Sequence, residues 1–417
     1  MEIAERSTIR LTRYRRRHTG LSVGEIFELK QIVDFITGLL RFCAQLPVCF
    51  VRDATLFLIF GLFRLVVGRS YMDCEAIIPV DARNKNRLFD SFSDEDCWHH
   101  LRFRRAELSQ LFTLCEFPAV VICCNGSSCS GEHAFCLMLY RLSYPSRLIE
   151  LQDIFGRDYS QLSRIFKWSI DFMYEKHRHK VEGNLQWYSD RFDMYHQAVT
   201  KKIIDSPRNI NRGFIPMEVS GIFAFLDGTG LEIARPGNGA QNPVWNGYMH
   251  GHYLIFQGLS FPDGMLVIEG AFPGYQPDTM VWRDSLMQEE LEIIMAGREA
   301  EGQPRYKVYA DKIYSNSALV TAAYSRRYHR DGLQDWQIRT NRLMSDIRVG
   351  VEWSFGKLIS RNKFVSYGQA MKLQASPVSK YYHVAVLLTN AHTCMYGCQQ
   401  TTYFGIMPPD VNEYFNQ

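Results

Sequence analysis

Three carboxylates stand where the chain changes from apolar to polar. Asp227 follows the apolar run Gly221–Leu226 (GIFAFL), and Asp311 follows a second, Tyr306–Ala310 (YKVYA). Glu352 lies one position past Val351, on a helix-periodic segment in which Ile347, Val351, Phe355 and Leu358 form one stripe. A carboxylate at the end of a core strand is costly to bury unless something compensates, and strand ends of mixed sheets are where ligands collect. An all-oxygen donor set suits a hard divalent cation, so Mg²⁺ or Mn²⁺ is the expected ion. Two such ions about 4 Å apart would activate an attacking oxygen and stabilise a leaving one at a phosphodiester. In that arrangement Asp227 bridges both ions, Asp311 holds one and Glu352 the other, while Gly356 leaves room for close approach one turn beyond Glu352. Each acid also has a plainer reading. Strand-end aspartates commonly serve turns, and Glu352 can pair with Arg348 one helical turn away.

The elements that must position these acids follow from periodicity. Gly221–Leu226 reads as a buried strand ending in a turn at Asp227-Gly228. His252–Phe261 and Met265–Ala271 read as a hairpin about the turn Pro262-Asp263-Gly264. Residues 278–295 read as one helix, 306–310 as a strand and 345–358 as a helix. The order strand–Asp, hairpin, helix, strand–Asp, helix–Glu is that of a ribonuclease-H-like α/β fold, a mixed sheet flanked by helices.

Five regions emerge along the chain. Residues 1–88 hold a basic run (Arg13, Arg15, Arg16, Arg17, His18) and an apolar stretch from Leu39 to Val67. The basic run fits a nuclear-import signal, a phosphate-binding arm or a solvated tail. The apolar stretch, interrupted by Arg52, Asp53 and Arg64, falls short of a membrane span and reads better as a buried helical hairpin. Residues 89–200 are helical. Within them, 148–155 and 160–170 form two helices about Gly156, with Ser160 as the cap, in a helix-turn-helix-like pattern. A DNA-reading second helix would use Gln161, Arg164 and Lys167, whereas an ordinary helical hairpin explains the pattern equally. Residues 201–215 look like a basic linker, 216–400 like the nuclease domain and 401–417 like a C-terminal tail.

Composition sets limits. With 417 residues, 46% hydrophobic and 22% charged, the chain is long enough for two or three globular domains, and its net charge of +3 permits nucleic-acid binding without requiring it. Eleven cysteines without framework spacing argue against a secreted disulfide scaffold and fit a reducing compartment. The cluster Cys123, Cys124, Cys129, Cys136 with His133, and the set His392, Cys394, Cys398, read as buried or loop thiols more readily than as zinc sites.

Three blocks resemble the DDE-superfamily endonucleases of the Harbinger/PIF type, which are transposases and nucleases derived from them. They are Leu226-Asp227-Gly228-Thr229 with Ile233 and Pro236; Tyr309-Ala310-Asp311-Lys312-Ile313-Tyr314; and Asn341, Arg348, Val351-Glu352-Trp353-Ser354-Phe355-Gly356-Lys357-Leu358 with Arg361. Gly274 and Asp278 match the family's turn and helix opening between the first two blocks, although Pro277 stands where many members have histidine. The similarity covers roughly residues 89–395. It implies Asp227, Asp311 and Glu352 as metal ligands, Asp278 as an auxiliary acid, DNA as substrate, a nuclear location and a Myb-like protein partner. It raises the helix-turn-helix reading as well. Lys312, Arg348 and Lys357, with Arg235, Trp245 and Tyr248, are candidates for DNA contacts. A homo-oligomer is a further expectation, and a membrane is not. His250 and His252 fit structural roles better than metal ligation, and Trp353 fits core packing better than base stacking. Three rivals remain: a domesticated DNA- or protein-binding factor without catalysis, a ribonuclease or exonuclease on the same fold, and a protein anchored in a membrane through Leu39–Val67.

Overall fold

A computed structural model describes residues 92–209, 219–237, 241–326, 332–373 and 375–417. The basic run and the apolar stretch of residues 1–88 lie outside the described residues, as does the end of the expected linker, residues 210–215. Among the described residues no helix is long and apolar enough to cross a membrane.

The first elements are helical: α1 (Arg105–Leu114), then a small hairpin of β1 (Val120–Ile122) and β2 (Ser128–Ser130). Next come α2 (Gly131–Ser143), α3 (Leu151–Phe155), α4 (Tyr159–His177) and α5 (Phe192–Asp205). The sheet follows: β3 (Ile222–Glu232), β4 (Trp245–Asn246), β5 (Gly251–Ser260), β6 (Leu266–Pro273), β7 (Lys307–Ala310) and β8 (Val320–Ala322). Between β6 and β7 lie α6 (Asp278–Asp284) and α7 (Leu286–Ala300). The chain ends with α8 (Asp335–Arg361), α9 (Val378–Tyr396), α10 (Gln399–Phe404) and α11 (Val411–Phe415).

The sheet runs β6–β5–β3–β7–β8, with β4 against the start of β5. Pairing is antiparallel from β6 through β3, then parallel from β3 through β8. The expected hairpin is present, closed where Phe261 N–H donates to Met265 O at 3.0 Å. Its turn is fully buried, because Asp263 accepts from Met265 N–H and from Tyr195 O–H at 2.5 Å.

Several expectations shift at element ends. β3 does not stop at Asp227: its antiparallel pairing with β5 carries it to Glu232, and only the parallel pairing with β7 ends at Leu226. The helix expected over 278–295 is two helices, broken at Ser285, whose hydroxyl caps the second. The glutamate helix begins ten residues earlier than expected, at Asp335, behind a reciprocal Gln334–Gln337 cap. Asp158, rather than Ser160, caps α4, accepting from Ser160 N–H at 2.8 Å. Helix α5 continues to Asp205, into the segment that resembled a linker, because Tyr195, Val199 and Ile203 recur at helical spacing and are buried. Residues 401–417 are folded, with Tyr414 fully buried and Lys180 Nζ donating to Phe415 O at 2.8 Å.

One apolar core joins the helical region to the sheet. Helix α9 explains how. It is buried on nearly every side from Tyr381 to Thr393, as a helix apolar all round must be. Asn390 on α9 brackets Leu266 of β6, accepting its N–H at 3.1 Å and donating to its carbonyl at 2.8 Å. From the other side Phe166 of α4 stacks on Tyr381 at 5.4 Å.

Candidate functional site

Asp227 and Asp311 each follow the last residue of the β3–β7 parallel register, Leu226 opposite Ala310. Adjacent strands lie about 4.8 Å apart, so the two acids stand side by side just past the point where the parallel pairing ends, and ligands collect at such ends. Asp311 caps its own turn, accepting Lys312 N–H at 2.7 Å and Tyr314 N–H through its carbonyl at 3.1 Å. The side chain of Lys312 is exposed.

Asp278 joins them through a missing side chain. A Cβ on Gly228 would lie 2.6 Å from the Asp278 carboxyl carbon, so the bare glycine after Asp227 leaves room for the Asp278 carboxylate to rest against β3. The three aspartates feel one another. Burial first, and then the charges of Asp278 and Asp311, raise Asp227 from the ordinary 3.8 to about 6, against the opposing pull of Arg348. Burial and the charge of Asp311 push Asp278 upward as well.

Glu352 arrives by a similar device. Gly258 of β5 stands opposite Asp227, and a Cβ there would lie 2.5 Å from the tip of the Phe355 ring. The bare strand therefore admits Phe355 and draws α8 down over the acids. A closed triangle of hydrogen bonds fixes the helix at the neighbouring residue: Ser260 and Ser354 hydroxyls at 2.7 Å, Ser354 to Gln400 Oε1 at 2.9 Å, and Gln400 Nε2 to Ser260 at 2.9 Å. Further up α8, Asn341 clamps the backbone of Tyr324, accepting its N–H at 2.8 Å and donating to its carbonyl at 2.9 Å. Arg348 then reaches between two acids, 3.5 Å from Asp227 Oδ2 and 3.9 Å from Glu352 Oε1. Glu352 itself is largely exposed.

Asp227, Asp278, Asp311, Arg348 and Glu352 thus share one neighbourhood. Among the described residues no three His, Cys, Asp or Glu side chains close into a set that could hold a metal as they stand. That includes the cysteine clusters: Cys123, Cys129 and Cys136 are buried thiols raised by desolvation, and the His133 imidazole is pushed down to about 4 by burial. His252 packs against Trp245 with ring centres 5.2 Å apart, and Trp353 against Tyr403 at 5.4 Å. The chemistry of the acids still suits a divalent ion. Their oxygens are hard donors, and among the described residues the guanidinium of Arg348 is the cation that ion-pairs with them.

Other singled-out residues lie apart. Gln161, Arg164 and Lys167 are on α4, where Arg164 donates to Ser160 Oγ at 3.2 Å and Lys167 to the Ala375 carbonyl at 2.7 Å. Lys357 turns inward from α8, donating to Gly264 O at 3.0 Å and Thr393 Oγ1 at 2.7 Å.

Two neighbours of the acids had no role in the sequence reading. Gln257 is fully buried on β5 and donates to the Asp227 carbonyl at 2.8 Å. It also exchanges a hydrogen bond with the Tyr314 hydroxyl at 3.2 Å. Burial and then the charges of Asp278, Asp227 and Asp311 hold that phenol far above its usual range. The available signal was a lone amide in an otherwise apolar strand (HYLIFQGLSF) and a tyrosine three residues past Asp311.

With this geometry in place, the comparisons fall on the same segment. Residues 226–390 match the model of a family described as DDE superfamily endonuclease, about two fifths of the 417-residue chain. The matched stretch begins one residue before Asp227 and contains Asp311 and Glu352. No curated protein and no solved structure matches the chain.

Proposed function

We propose that this protein is a metal-dependent DNA endonuclease of the transposase-derived DDE type. The observation that carries the reading is the convergence of Asp227, Asp311 and Asp278 at the end of the parallel strands, with Glu352 brought over them by Phe355 on Gly258. The family match over the same segment and the strand order β6–β5–β3–β7–β8, that of a ribonuclease-H-like sheet, support it.

Asp227, Asp311 and Glu352 are the proposed ligands of Mg²⁺ or Mn²⁺, with Asp278 auxiliary. The ions would supply Lewis acidity and an activated water at the phosphodiester. The chain's own residues orient that chemistry. Gln257 fixes the Asp227 backbone, Arg348 restrains the carboxylates, and the Ser260–Ser354–Gln400 triangle holds the glutamate helix. Strand transfer by a 3′-hydroxyl, a Harbinger/PIF origin, a nuclear location, a Myb-like partner and a homo-oligomer belong to the same reading, on the residue blocks that resemble that group.

The test is cleavage of duplex DNA by the full chain with Mg²⁺ or Mn²⁺, beside Asp311→Asn and Glu352→Gln. Cleavage should fall by about 10³-fold or more in either variant and stop in chelator. DNA binding without cleavage under every condition, in a folded chain, would move the assignment to the non-catalytic binding factor.

A further inference from the structure

Beyond Glu352, α8 lines a groove of about 360 Å³ against α10. Two adjacent rows of the helix form its wall at one-turn intervals: Glu352, Gly356 and Ser360 in one, Trp353, Lys357 and Arg361 in the other. The first row is low. A Cβ on Gly356 would meet nothing within 4 Å, and Ser360 is small and exposed. A path therefore runs from the acids toward Arg361 with little in its way, and Gln399 of α10 stands exposed on the opposite rim.

The far end of this path gathers cations that no carboxylate neutralises. Arg361 is half-buried and donates from Nη1 to His392 Nε2 at 2.5 Å. That imidazole is a neutral acceptor, pushed down to about 2 by burial and then by Arg361, Lys357 and Arg102. Lys357 donates to the neutral Gly264 carbonyl and Thr393 hydroxyl and also meets the Cys398 thiol. Arg102 lies close enough to depress Arg361 further, and both Nε atoms are buried without a partner. Asp263 is the carboxylate that Lys357 feels, and it is committed to Tyr195 and Arg191. Among the described residues, none of Arg102, Lys357 and Arg361 has an acid within ion-pair distance. Clustered, half-buried positive charge is costly unless an anion completes it.

We propose that this groove is a docking site for a backbone phosphate of the DNA strand flanking the cleaved bond, with Arg361 as the charged contact. Lys357 and Arg102 contribute field rather than direct hydrogen bonds. Arg361 lies nine residues past Glu352 on α8, or about 13.5 Å along the axis, so the docked phosphate would belong to the flanking strand rather than to the cleaved bond itself. The proposal rests on the nuclease reading, yet its test does not require cleavage.

The test measures duplex DNA binding by the full chain in chelator, across a range of salt, for the wild type, Arg361→Gln and Gln399→Glu. Loss of one phosphate contact should lower the slope of log affinity against log salt by about one and weaken low-salt binding by about tenfold in Arg361→Gln. Gln399→Glu places an anion on the exposed rim without touching the core. It should weaken binding in the same direction while leaving the melting temperature unchanged. Inorganic phosphate should raise the melting temperature of the wild type above that in chloride at equal ionic strength, and this shift should vanish in Arg361→Gln. Slopes unchanged in both variants, or no DNA binding by the wild type, would overturn the proposal. Unchanged slopes beside intact cleavage would leave the nuclease reading standing alone. A lowered slope without any cleavage would keep the groove and remove the nuclease.

Discussion

Helix α8 serves two clusters of like charge, and they are built differently. Around its middle, carboxylates from β3, β7, α6 and α8 itself gather with one guanidinium, Arg348, between Asp227 and Glu352. In its last turns Lys357 and Arg361 meet Arg102 and a neutral His392, with no acid in ion-pair range among the described residues. The acid cluster is assembled by absences of side chain, at Gly228 and Gly258. The cation cluster is assembled by neutral acceptors, a carbonyl, a hydroxyl and an imidazole, that satisfy hydrogen bonds without cancelling charge. Like charge gathered in this way costs stability, and each cluster is proposed to receive its counter-charge from outside.

The comparison can be broken most forcefully at Gly258. Gly258→Ala drives a methyl against Phe355 and lifts α8 from the sheet. Cleavage should fall by about 100-fold, as misplacement by about an ångström does, with about 1–3 kcal/mol of stability lost to overpacking. Salt-dependent binding through the Arg361 groove should persist, which separates the two clusters.

The next effect comes from charge alone. The carboxyl of Asp227 titrates at about 6 when folded, against the ordinary 3.8. Folding therefore favours its protonated form. The contribution to stability is fully present below the unfolded value and is lost as pH rises through the folded one. Asp227→Asn should escape that loss, so metal-free denaturation should show the variant gaining on the wild type between about pH 4 and 6. The gain should level at about 2 kcal/mol above that range, a value discounted for the quarter-exposed side chain. Added Mg²⁺ should stabilise the wild type and not the variant.

The smallest effect sharpens the other side. Arg102→Gln removes one of the crowded cations and should raise thermal stability in chloride by under about 1 kcal/mol. That advantage should shrink in phosphate, where the wild type gains its missing anion.

The strands that lead to Asp227 and Asp311 were legible in the sequence because strand chemistry is local. An apolar run that ends in Asp needs few residues to recognise, and the helix stripe around Glu352 needs few more. Element ends were not, because long-range partners decide them. Asp227 lies within β3 since β5 continues past the point where β7 stops, and β8 is three short residues that only β7 makes a strand. Asp278 stands out in the sequence only through the family resemblance, and its packing onto Gly228 depends on how α6 docks. Lys357 and Arg361 stood out in the sequence one by one, but their gathering into a cation cluster did not. Arg102, Lys357, Arg361 and His392 meet only through α9, and the missing counter-charge is a property of the folded neighbourhood.

The burial of α9 sets a limit on modular exchange. The matched segment closes at residue 390, inside a helix that continues to Tyr396. Lys380 on that helix is tied to Asp171 of α4 at 2.8 Å, and Asn390 reaches the Tyr414 hydroxyl of α11 at 3.3 Å. An excised 226–390 fragment would carry the acids but strip both coverings from its most apolar helix. Transplanted as a cassette, it would behave as an aggregation-prone remnant rather than a portable enzyme. The unit that folds is the interlocked body that α9 ties together, so recombination within it should be tolerated only at its surface loops.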